Sequence, residues 1–130
     1  MQEPIWVLDD TVLAIHNRQI AEHGGLAGVR DAGALASALD RPKNKFAYAD
    51  PDIFDLAAAY GFGLATNHPF ADGNKRTAYV VSVLFLTLNG YRLEASQDEK
   101  YRTFLELAAG NIKEVQLAAW FKAHCTHVTP

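Results

Sequence analysis

The stretch HPFADGNKRTAYVVSVLFLTL, His68–Leu88, decides how this chain is read. From Thr77 to Leu88 almost every position is apolar. A helix that is apolar on all sides belongs at the centre of a fold, packed by its neighbours. Asn89 and Gly90 then supply a helix stop. The run is too short to cross a bilayer and carries Ser82 and Thr87. In front of it stand a histidine, an aspartate, a glycine, an asparagine, a lysine and an arginine. So many polar groups at the mouth of the greasiest segment need a reason beyond solubility.

Working outward, the flanks read as further helices. LDDTVLAIHNRQIAEHGG predicts a first helix, with Asp9 or Asp10 as its cap and apolar positions such as Val12, Ile15 and Ile20 near helical spacing. Gly24 and Gly25 stop it. His16 and His23 lie on it and read as surface or helix-end residues. GVRDAGALASALDRP predicts a second, short helix capped by Asp31 and ended by Pro42. RPKNKFAYADPD then reads as a polar loop or short extended segment. Pro51 and Asp52 open a third helix, whose Gly61 and Gly63 permit close packing. Beyond the central run, YRLEASQDEK suggests a short strand or turn. Ser96 and Glu99 then form a capping box for a helix reaching about Ala109. IKEVQLAAWFKAHC gives a last amphipathic helix. No repeat, linker or low-complexity tract appears, and the expectation is one all-α domain over residues 1–130, built from about six helices.

Composition narrows the function. The 130 residues carry a formal net charge of -3, with 49% hydrophobic and 21% charged side chains. That is globular composition, and it disfavours nucleic acid as the main partner. MQEPIWVLDD has no signal-peptide pattern, so a cytoplasmic location without membrane attachment is expected. The lone Cys125 allows no internal disulfide and reads as a packing thiol. His124 and His127 are three apart, but no further ligand stands near them in sequence to complete a metal site. Walker-type, GxGxxG and GxSxG motifs are absent from the sequence.

The polar block has a chemistry of its own. Gly73 stands where loop becomes helix, and a glycine there lets backbone N–H groups approach a ligand closely. The first turn of a helix offers unpaired donors and the positive end of the dipole, which suits an anion. Lys75 and Arg76 add two cations in that turn, the end where cations cost stability unless an anion offsets them. Asn74 could donate to a phosphate or hold the loop. Asp72 could hold Mg²⁺ beside phosphates or cap the helix. His68 could take a proton from an attacking hydroxyl or serve as a structural histidine. Phe70 reads as the anchor that pins the loop to the core.

The pattern His68, Phe70, Asp72, Gly73, Asn74, Arg76 resembles the HxFx[DE]GNxR signature of the Fic/Doc superfamily. HNRQIAEHGGLAGVRDAGALASALDRP looks like the N-terminal part of its Doc-type (death-on-curing) members, so the likeness runs over nearly the whole chain. It implies an all-α fold, with His68 as the base, Asp72 as the Mg²⁺ ligand and Gly73, Asn74, Lys75 and Arg76 as the phosphate cradle. Most Fic enzymes transfer AMP from ATP to a protein hydroxyl. Here Lys75 stands where those enzymes have a glycine, and Tyr79 where they have a second arginine. Both departures are similar to Doc-type proteins, which implies transfer of the γ-phosphate of ATP instead. The implied target is translation elongation factor Tu, and the implied outcome is arrest of translation. AMP transfer, or a silent module that only binds nucleotide or antitoxin, are the alternatives. An inhibitory [ST]xxxE[GN] helix is absent from the sequence, which agrees with restraint by a separate Phd-like antitoxin. Fic-type enzymes dock the target on a flap, for which Arg41–Tyr48 is the candidate here.

Overall fold

The computed structural model describes residues 1–128. Six helices run in the order α1 (Asp9–His23), α2 (Ala32–Tyr48), α3 (Ile53–Asn67), α4 (Asn74–Leu88), α5 (Gln97–Ala108) and α6 (Glu114–His124). Two three-residue strands, β1 (Tyr91–Leu93) and β2 (Cys125–His127), pair antiparallel with Tyr91 opposite His127. The fold is all-α, and the strands only clip the chain's end to the turn after α4.

The apolar Thr77–Leu88 run does become part of a core helix, but α3 shares the centre with it. α3 buries nine residues, from Leu56 to Ala65, most of them alanine, glycine or leucine. α4 buries six: Thr77, Ala78, Val81, Ser82, Phe85 and Leu86. Their i, i+4 spacing makes one stripe, and this stripe faces α3. Two glycines set the approach. A Cβ at Gly61 would lie 2.6 Å from Ser82 Oγ, and one at Gly63 would lie 3.2 Å from Ala38 Cα of α2. The backbones therefore come closer than any side chain would allow.

Three expectations change. Pro42 does not end the second helix, which continues to Tyr48 with Pro42 buried inside it. A proline in a helix interior costs about 3 kcal/mol. Contacts on both sides of Pro42 offset this. Phe46 meets Trp6 edge-on, and Arg41 and Lys45 both pair with Glu114 of α6. The Arg41 guanidinium also lies 4.9 Å above the Phe62 ring. The segment Arg41–Tyr48 is therefore helix, not the polar loop or short extended segment that its sequence suggested. Second, α1 is capped by Leu8 with no side-chain bond, and Asp9 and Asp10 sit in its first turn instead. Third, His16 is not a surface residue but is buried. The caps at Asp31, Asp52 and Ser96 stand as the sequence suggests, the latter two as full capping boxes.

The N-terminal segment closes one end of the bundle. Trp6 stacks on Phe85, and Val7 N–H donates to the Tyr60 hydroxyl at 3.2 Å. Asn89 donates to the Ile5 carbonyl and accepts from its N–H, so the stop of α4 also fastens the chain's start.

Candidate active site

The loop from His68 to Gly73 joins the two central helices, and each residue in it has a distinct task. α3 ends at His68, which adopts the left-handed conformation at φ 49° and ψ 54°. That turn is uncommon for a residue other than glycine. Arg30 supports it by donating from Nε to the His68 carbonyl at 3.0 Å, with a second N–H on the same oxygen. The imidazole stays exposed. Phe70 is buried and stacks on the His16 ring, centroids 3.8 Å apart and planes 7° apart. His16 Nε2 donates to the Asp72 carbonyl at 2.8 Å. α1 thus grips the loop through both the ring and the ring nitrogen of one histidine, with Ile20 packed close to Gly73 beside it.

A second loop braces the first from behind. Val29 and Phe70 form an isolated antiparallel bridge. The Arg30 and Asp31 N–H groups donate to the Pro69 carbonyl, and the Ala71 N–H donates to the Gly28 carbonyl. Leu26 N–H donates to Asp72 Oδ2 at 2.8 Å. Asp72 therefore does not cap α4. Its cap is Gly73, at φ 76°, and no side chain bonds to the helix start. The first-turn N–H groups are left open, which is the condition for holding an anion.

Asn74 secures the loop from inside. Its Oδ1 accepts from the Phe70 N–H at 2.9 Å, and its Nδ2 donates to the Phe70 carbonyl at 3.0 Å. Lys75 and Arg76 have no acidic partner among the described residues. Lys75 Nζ instead lies 5.2 Å above the Tyr101 ring, a cation–π contact that steadies it without neutralising it.

One cavity of about 650 Å³ takes in His68, Gly73, Asn74, Lys75 and Arg76, with Tyr101 and Leu105 of α5 on its far wall. Phe70 lies in the core behind it. Asp72 is turned toward Leu26 and does not line it. A smaller cavity of about 280 Å³ adjoins it, and shares Lys75, Arg76 and Tyr101. Tyr79 belongs to this second cavity, its ring edge-on to Phe104.

Sequence reading missed His16, Arg30 and Tyr101. His16 could have been found, because it falls on the Val12–Ile20 stripe at i+4 from one and i−4 from the other. Arg30 and Tyr101 carry no local signal; tertiary folding alone brings them in. The remaining reactive candidates lie elsewhere. Burial pushes the Cys125 thiol up to about 11. His124 binds the Trp120 carbonyl and the Glu99 carboxylate, while His127 sits in β2. No group of three or more metal-binding side chains occurs among the described residues, and no described helix is long and apolar enough to cross a membrane.

A profile of the Fic/DOC family matches residues 6–86, from Trp6 to two residues before the end of α4. Two known proteins align with the chain. Protein kinase doc of Escherichia phage P1 is 35% identical over 85 residues, which is 65% of this chain and 68% of the phage protein. Toxin Doc of Mycolicibacterium smegmatis is 44% identical over 77 residues, 58% of this chain and 59% of that protein. The alignment thus spans less than two thirds of the mycobacterial relative.

Proposed function

Since the chain belongs to the Fic/DOC family and is of its Doc type, we propose that it is a toxin that transfers the γ-phosphate of ATP to a protein hydroxyl. One observation carries this reading. An imidazole and two cations without acidic partners share a single cavity at the uncapped start of α4. Phosphoryl transfer asks chiefly for positioning and for positive charge around the moving group. Lys75, Arg76 and the open N–H groups after Gly73 supply both. His68 takes the proton of the target hydroxyl as that oxygen bonds to the γ-phosphorus. The bond from γ-phosphorus to the bridging oxygen breaks, and ADP leaves. Asn74 shapes the loop through Phe70, and its remaining amide proton is available to a phosphate oxygen.

Asp72 would hold a magnesium ion once its carboxylate, turned toward Leu26 and outside the 650 Å³ cavity, faces the phosphates. Leu26 holds one carboxylate oxygen, and the other has no partner among the described residues. Magnesium takes one or two carboxylates and completes its shell with phosphate oxygens and water. Bound there, it would neutralise phosphate charge.

The proposed target is elongation factor Tu, and the proposed restraint is a Phd-like antitoxin. Support for the kinase chemistry over AMP transfer comes from Lys75, whose long side chain lines the cavity, and from Tyr79, which packs on Phe104 and has no positive charge to offer a phosphate. The test is to incubate the protein with elongation factor Tu, Mg²⁺ and ATP labelled at the α- or the γ-phosphate. Label moving from the γ position alone is expected. Label moving from the α position identifies AMP transfer and overturns the reading of Lys75 and Tyr79. If neither label moves, here or in host lysate, the chain is no transferase.

A further inference from the structure

Among the described residues, His68 is the only one other than glycine with a positive φ. The groups that hold it there come from a single residue. The carbonyls of Asn67, His68 and Pro69 all accept from Arg30. Its main-chain N–H donates to Pro69 at 2.8 Å, its Nε to His68 at 3.0 Å, and its Nη2 to His68 and, at 3.5 Å, to Asn67. The guanidinium has no acidic partner among the described residues. Its charge faces the last carbonyls of α3 instead, the helix end that favours a cation. Arg30 lines neither cavity, so it is not one of the cations set around the phosphates. Its own backbone is held in turn. The next residue, Asp31, donates to the same Pro69 carbonyl and caps α2. At the other end of this loop the Leu26 N–H holds the Asp72 carboxylate. One short loop thus sets the spacing between His68 and Asp72.

We propose that Arg30 is a positioning residue for the transfer, acting through the His68 carbonyl to keep the imidazole on the 650 Å³ cavity. The proposal rests on His68 as the base and adds what holds that base within reach of the target hydroxyl. A left-handed turn is costly for any residue with a Cβ. Without the guanidinium, the turn relaxes toward the right-handed conformation, and the imidazole moves with its backbone. Lys75, Arg76 and the open N–H groups belong to the start of α4, and Arg30 bonds to none of them. Loss of Arg30 therefore misplaces the base and leaves the hold on the nucleotide as it was.

Steady-state transfer by Arg30→Met and Arg30→Lys, each with its helicity checked by circular dichroism, tests this. Methionine keeps the length and removes the side-chain donors; lysine keeps the charge and one donating group. Arg30→Met should lower kcat roughly 10²-fold, the cost of misplacing a reacting group by about 1 Å, with KM for ATP unchanged. Arg30→Lys, or guanidinium ion added to Arg30→Met, should recover part of the loss. Native kcat in folded Arg30→Met would reduce Arg30 to a cap of α3 and overturn the assignment. So would a change in KM alone, which marks a binding residue, or a loss that neither lysine nor guanidinium relieves. Where Arg30→Met does not fold, nuclear magnetic resonance of the native chain decides. The Arg30 Nε–H should exchange with water more slowly than that of Arg76, which has no acidic partner among the described residues, and equal rates would mean that the grip on His68 is not made. If the native protein transfers no phosphate, the reading of the site fails first, and this inference fails with it.

Discussion

His68 combines two properties that a substitution can separate: a left-handed backbone and an exposed imidazole. Asparagine visits that conformation readily, whereas alanine pays roughly 1–2 kcal/mol for it. His68→Asn should therefore unfold at the native temperature while phosphate transfer falls about 10²–10⁴-fold, the usual worth of a general base. His68→Ala should lose activity and stability together. Thermal unfolding beside a transfer assay reads both, and a His68→Asn variant of native activity would remove the base from the mechanism. His16 makes the opposite case, for it touches no open surface of the site. His16→Leu keeps the volume but leaves the Asp72 carbonyl unbonded and Phe70 unstacked. It should cost about 1–3 kcal/mol and loosen the loop. Denaturant unfolding measures the first effect, and amide exchange at residues 70–73 measures the second.

Among the elements, the crossing of α3 with α4 and α2 leaves the least room. Alanine is the better helix former, yet at Gly61 its methyl would meet Ser82 Oγ at 2.6 Å and Leu117 at 3.2 Å. Gly61→Ala should destabilise by about 1–3 kcal/mol, against the helix-propensity trend. Urea unfolding decides the sign. This crossing also shows what the sequence discloses and what it hides. The caps of α2, α3 and α5 were legible because a cap is written in three or four adjacent residues. So was the motif, for the same reason. The length of α2 was not, because Pro42 is a local stop signal, and the contacts that override it come from Trp6, Phe62 and Glu114. The wall made by α5 was equally hidden. Tyr101 looks like any exposed aromatic until α5 folds back against Lys75.

At the scale of the whole molecule, two shielded protons, on buried Tyr60 and half-buried Cys125, make stability depend on pH in the alkaline range. Burial pushes the Tyr60 hydroxyl up to about 12 from 10.0, and the Cys125 thiol up to about 11 from 9.0. Both folded values lie above the unfolded ones. As pH rises past about 9, the unfolded chain releases these protons first, and stability falls until the folded groups titrate near 11 and 12. Melting temperature measured from pH 8 upward should decline over that window, and the decline should be shallower in Cys125→Ala. A flat profile would contradict the shielding of both groups from water. The span of the family match holds a different lesson. It stops at residue 86, short of the α5 residues that wall both cavities. The matched part thus carries the motif loop and the start of α4, and α5 closes the far side of the box. Changing the residues of α5 that face this box should therefore retune which molecules are admitted, while what happens to them once inside stays the same.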